Sequence, residues 1–171
     1  MTERKGAVTF EGNPLTLVGD ELRVGTNAPD PDLWDNDLNP FKLSSLRGKV
    51  CVLVTVPSLD TPVCDMEARR FNEEAVGLGA DVKIVVISMD LPFAQKRWCG
   101  AAGVKNVQTL SAYKEATFGT SYGLLIKELH LLARSVIILD REGAVRYVQL
   151  VEEITNEPNY GEVLKEIKKL L

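Results

Sequence analysis

The sequence predicts an α/β protein, a mixed central sheet flanked by helices with a β-hairpin ahead of it, and three observations carry that prediction. The runs "KVCVLVTV" (49–56) and "DVKIVVISMD" (81–90) are dense in valine and isoleucine, as in strands covered on both faces. Between them a helical pattern extends from about Pro62 to Ala75, giving the strand, helix, strand order of a right-handed parallel crossover. Later, "RSVIILDREGAVRYVQLV" reads as two strands around the turn Asp140-Arg141-Glu142-Gly143, and the amphipathic stretch "NYGEVLKEIKKLL" closes the chain as a helix.

The remaining elements follow in chain order. "AVTF" and "LTLVG" are β-rich runs separated by Glu11-Gly12-Asn13-Pro14, an N-terminal hairpin over about 7–18. Residues 25–49 are rich in Pro, Asn, Asp and Gly, yet they hold Leu33, Trp34, Leu38 and Phe41, so this stretch packs on the core and is not an interdomain linker. Asp90 before Leu91-Pro92 is a helix start, an N-cap with proline in the first turn, and that helix reaches about Ala101 with Cys99 near its end. "SAYKEATFGTSYG" (111–123) suggests a short helix stopped at Gly123. A mixed sheet with helices on both faces, βαβ then ββα, is the thioredoxin-like arrangement. With 171 residues, 45% of them hydrophobic and 26% charged, the chain can bury one substantial core, and residues 1–171 are expected to form a single domain.

Composition also excludes function classes. A net charge of -4 argues against a general electrostatic grip on nucleic acid or an anionic membrane surface. No apolar run has the length of a signal peptide or a membrane span, so the expected location is the cytoplasm. Three cysteines, Cys51, Cys64 and Cys99, are too few and too odd in number for a disulfide framework, and none forms a C-x-x-C pair; any disulfide here is expected to be redox-active. The lone histidine, His130, leaves too few ligands for a metal site, and removes a Cys-His or Ser-His-Asp hydrolase unless it folds onto Cys64.

Cys64 is the cysteine placed for chemistry. Thr61 can cap the helix, Pro62 suits its first position, and Cys64 falls in the first turn, where unpaired N–H groups and the positive end of the helix dipole favour an anion. A thiolate is such an anion, and helix N-termini are a known setting for reactive thiols. Cys51, by contrast, lies mid-strand and reads as a small core side chain.

Pro57, Thr61 and Cys64 fit the P-x-x-x-T-x-x-C pattern of peroxiredoxins. With "TPVCDMEARRFNEEA", "SMDLPFAQKRWCG", "LLARSVIILD" and "LVEEITNEPNY" in order, the chain resembles the bacterial thiol peroxidase subgroup along nearly its whole length. The resemblance implies a peroxidase without metal, haem or flavin that reduces hydrogen peroxide and alkyl hydroperoxides, with a preference for the latter. It makes Cys64 the peroxidatic nucleophile and Pro57 part of its loop, and gives Thr61 a hydrogen bond to the peroxide. Arg134 becomes the cation that stabilises the thiolate. Without the resemblance, Arg134 would read equally well as a surface cation at a strand start, with Arg69, Arg70 and Arg97 as competitors. It also implies that Cys99 resolves the Cys64 sulfenic acid as an intrachain disulfide, that thioredoxin reduces this disulfide, and that the protein is a homodimer. A thiol-disulfide oxidoreductase lacks its C-x-x-C here, and a non-catalytic binding module of the same fold would account for the apolar pattern alone.

Overall fold

The computed structural model describes residues 1–171. A hairpin of β1 (Glu3–Phe10) and β2 (Asn13–Val18) comes first, and Phe10 pairs with Asn13. Its two turn residues, Glu11 and Gly12, both have positive φ (50° and 82°), the backbone that matches the twist of a tight hairpin. The first strand begins earlier than the apolar pattern suggests. "ERKG" is polar, but pairing with β2 holds it, through an irregularity between Arg4 and Val8 where Gly6 also takes positive φ.

Residues 25–49 do pack inward, as two-residue strands β3 (Leu33–Trp34) and β4 (Pro40–Phe41) and a 3₁₀ turn over Leu43–Leu46. Leu33 and Leu43 are buried, and Phe41 packs against the core. Leu38 does not: it sits exposed at φ 67°, at the tip of the β3–β4 turn.

The crossover is formed by β5 (Val50–Thr55), α1 (Pro62–Leu78) and β6 (Val82–Ser88), with β5 and β6 parallel. A second crossover runs through α2 (Pro92–Ala102) to β7 (Gln108–Ser111), a strand whose last residue, Ser111, opens the segment expected to be helical. Of the segment 111–123 expected to be helical, only α3 (Thr117–Ser121) is; Ser111 pairs along β6, where pairing with a buried strand overrides local propensity. After α3 come β8 (Leu125–Ile126), β9 (Leu131–Leu132), β10 (Ser135–Leu139), β11 (Val145–Leu150) and α4 (Tyr160–Lys168). The seven-stranded sheet has the order β11-β10-β5-β6-β7-β3-β4, and a smaller sheet has the order β1-β2-β8-β9.

The side-chain period of two splits β5 between the faces of the large sheet. Val50, Val52 and Val54 join Ala68 and Phe71 of α1, Trp98 of α2 and Val163 and Ile167 of α4. Cys51 and Leu53 face Val8 and Leu17 of the hairpin and Phe118 and Tyr122 around α3. Helices therefore cover the faces unequally: three long ones on one side, and the small sheet with short α3 on the other.

Candidate active site

The parallel strands β5 and β6 end together, and the loops that leave them build the site. The loop after β5, residues 56–61, is tied to the loop after β6 by one carboxylate. Asp90 accepts from the Ser58 hydroxyl (2.7 Å), the Leu59 N–H (2.8 Å) and the Ser88 hydroxyl (2.7 Å). The expected N-cap role of Asp90 is therefore wrong: Leu91 is the N-cap of α2 without a side-chain cap bond, and Pro92 is its first residue. Three donors, two from the loop after β5 and one from the end of β6, outcompete the helix terminus for that carboxylate.

Thr61 occupies the N-cap position of α1, with extended backbone, but its hydroxyl does not cap. It donates instead to the Ser58 carbonyl (2.9 Å), leaving the first-turn N–H groups unspent. Pro57 is buried at the start of the same loop and Thr61 is exposed at its end. Cys64, in that first turn, is fully buried.

Arg134 is also buried, 2% exposed, so it is no surface cation. It sits between β9 and β10, and its guanidinium makes four hydrogen bonds to three partners. Nη2 donates to Cys64 Sγ (3.3 Å) and to the Ile154 carbonyl (2.8 Å), Nε donates to the same carbonyl (3.0 Å), and Nη1 donates to Glu67 Oε2 (2.5 Å). Burial works to lower the Arg134 pKa, but Glu67 and Cys64 outweigh it and the cation is held. Arg69 and Arg70 are spent on Asp65 and Glu74 at the helix surface.

Glu67 is the site residue that the sequence reading missed. It lies three residues after Cys64 on the same helix face and has no solvent exposure, and its Oε1 has no hydrogen-bond partner. Burial pushes its carboxyl up from 4.5 to about 7 against the pull of Arg134. A signal was present: Cys64, Glu67, Ala68 and Phe71 form the i, i+3, i+4, i+7 stripe of the buried face, where a carboxylate is out of place.

Cys99 is elsewhere. It lies near the end of α2, partly exposed, its Sγ 3.4 Å from the Thr109 hydroxyl of β7. Cys64 and Cys99 are both free thiols in this structure, each turned to a different neighbour. Cys51 is a core residue whose thiol burial pushes up to about 11. His130 is exposed in the turn between β8 and β9, where it cannot serve Cys64 as a base.

A buried sulfur with a permanent guanidinium partner, at a helix N-terminus, suits a thiolate that attacks an electrophile. Comparisons with known proteins agree. The Redoxin family model matches residues 23–164. The thiol peroxidase of Bacillus subtilis is 51% identical over 164 residues, covering 96% of this chain and 98% of that protein. The thiol peroxidase of Streptococcus pneumoniae R6 is 48% identical, covering 95% and 99%. Among solved structures, a peroxiredoxin-like protein from Aquifex aeolicus superposes with a TM-score of 0.91 at 47% identity, covering 97% of this chain and 98% of that one. No helix of the chain is long and apolar enough to cross a membrane. The chain belongs to the Redoxin family as a thiol peroxidase, an oxidoreductase that reduces peroxide through a cysteine thiol.

Proposed function

We propose that Cys64 is the peroxidatic nucleophile, and the observation that carries this is the buried Nη2 to Sγ hydrogen bond from Arg134. The thiolate attacks the terminal oxygen of a hydroperoxide, hydrogen peroxide or an alkyl or lipid one. A sulfur–oxygen bond forms, the O–O bond breaks, and the departing alkoxide takes a proton and leaves as alcohol or water. Arg134 stabilises the charge as it moves from sulfur to oxygen. Thr61, on the exposed lip of the loop, turns its hydroxyl from the Ser58 carbonyl to the bound peroxide, and Pro57 shields the sulfur from water.

The Cys64 sulfenic acid then condenses with the Cys99 thiol, releasing water and forming an intrachain disulfide, and a thioredoxin-type dithiol returns both cysteines to thiols while becoming a disulfide itself. A disulfide requires Cα atoms about 4.4–6.8 Å apart. Cys64 is held toward Arg134 and Cys99 toward Thr109, so the step requires local unwinding of the first turn of α1, of α2, or of both. The protein is expected to work in the cytoplasm as a homodimer, with exposed Leu91 and Phe93 as an apolar patch for a second copy.

Mixing the reduced protein with an equal amount of hydroperoxide tests the reading. Cys64→Ser should consume none. Cys99→Ser should consume one equivalent and stop, and sustained cycling of that variant on thioredoxin would remove Cys99 from the mechanism.

A further inference from the structure

Arg134 is oriented mainly by a backbone carbonyl, and that carbonyl belongs to a loop with an unusual fastening. The loop after β11 wraps the arginine from two sides. The Val151 N–H donates to the Arg134 carbonyl (3.0 Å), and the Ile154 carbonyl accepts from both Nε and Nη2. A two-donor grip on one oxygen sets the plane of a guanidinium as well as its position.

The residue beside Ile154 is Glu153, and its carboxylate gathers five donors. Oε1 accepts from the Thr9 hydroxyl (2.9 Å) and the Gly12 N–H (2.8 Å). Oε2 accepts from the Glu11 N–H (3.2 Å), the Thr155 N–H (3.0 Å) and the Thr155 hydroxyl (2.7 Å). The N-terminal hairpin thus presents its turn to this one side chain. Backbone bonds on either side reinforce the join: the Thr9 N–H donates to the Glu152 carbonyl (2.7 Å), and the Ile154 N–H donates to the Thr9 carbonyl (2.9 Å). The Thr155 hydroxyl and the Gly12 and Thr155 N–H groups hold the Glu153 carboxyl down to about 2, so it is an anion throughout the working range.

We propose that Glu153 is a positioning residue for the peroxide reaction: by clasping the hairpin turn it fixes the Ile154 carbonyl, which sets the Arg134 guanidinium against the Cys64 sulfur. The N-terminal hairpin is then part of the support of the active site. This inference rests on the reading of Arg134 as the group that activates Cys64.

The test is a double-mutant cycle on the bimolecular rate of the reduced protein with hydrogen peroxide, followed by stopped flow. Glu153→Ala should slow the reaction about tenfold, because a small misplacement of a catalytic group is costly. In an Arg134→Met background the same substitution should change the rate by less than about twofold, since its effect runs through that side chain. Reduction of the preformed disulfide by a thioredoxin dithiol should keep its rate, which general loosening of the fold would not spare. Equal slowing in both backgrounds, or a native rate in Glu153→Ala, overturns the proposal. A native rate in Arg134→Met alone would instead sink the reading beneath it. Should Glu153→Ala fail to fold, Thr9→Val removes one of the five donors at constant shape. It is expected to slow the reaction about twofold, again only when Arg134 is present.

Discussion

The surroundings of the two helix-borne cysteines, Cys64 and Cys99, differ in kind. Cys64 is fully buried, tied to a guanidinium whose every group is engaged, and its preceding loop is pinned by Asp90. Cys99 is half-buried with one weak contact to Thr109, and it is followed by Gly100 and by Gly103, which ends α2 in the left-handed conformation. What holds the α2 end is a set of side-chain clasps from α1. Trp98 Nε1 donates to Asp65 (2.6 Å), Arg69 donates to the Ala102 carbonyl (3.3 Å), and Asn72 accepts from the N–H groups of Lys105 and Asn106. The contrast teaches a division of labour. In the proposed reaction, a nucleophile needs fixed geometry to stabilise charge, whereas a resolving thiol needs an element that can open at modest cost.

Removing the fixed cation is the hardest blow to that contrast. Arg134→Met should lower kcat/KM for peroxide by about 10²–10³-fold, the usual loss when a preorganised donor is removed. Because the change strands Glu67 in the core, the double variant Arg134→Met/Glu67→Gln is the control, and its melting temperature shows whether the loss is catalytic.

Glu67 itself sharpens the comparison through pH. Its folded value, about 7, lies above its ordinary 4.5, so the folded protein holds this proton more tightly. The stabilisation is therefore full below about pH 4.5, falls as pH rises, and is gone above about pH 7. Relative to Glu67→Gln, the native protein should lose roughly 2–3 kcal/mol across that window, read from urea midpoints at each pH. A constant difference between the two proteins would mean that the carboxyl stays ionised beside Arg134.

On the loose side, Asp65→Ala removes the Trp98 clasp. Opening of α2 should become easier by ~1.4 kcal/mol, seen as about tenfold faster amide exchange across 92–102, while 135–139 stays protected. Unchanged exchange would show that apolar packing alone holds the helix end.

The smallest effect is expected at Cys51. Cys51→Ser buries a hydroxyl facing the hairpin side of the sheet and should cost ~1–2 kcal/mol of stability with the peroxide rate intact. A slowed rate would bring the third cysteine into the chemistry.

How much of this was legible in the sequence follows from the range of each interaction. Cys64 was legible because its setting is local: Thr61, Pro62 and the first turn of α1 are contiguous. The crossover was legible because β5 and β6 are apolar on both faces. Asp90 misled, since a cap and a loop tie use the same carboxylate and the winning donors, Ser58 and Leu59, come from a distant stretch. Strands β3, β4, β8 and β9 have two residues each and exist only through their partners.

By itself, then, the sequence determined the order of most elements, the buried strands and the first-turn setting of Cys64, all consequences of periodicity and of chemistry within one helical turn. Only the tertiary structure decided what faces that sulfur. Arg134 lies 70 residues away from Cys64 in the chain, and its orientation depends on Ile154, Glu67 and a clasp between Glu153 and the hairpin turn. No local pattern encodes such contacts, because they arise where β5, α1 and the loop after β11 converge, and a buried charge persists there only once every partner is in place.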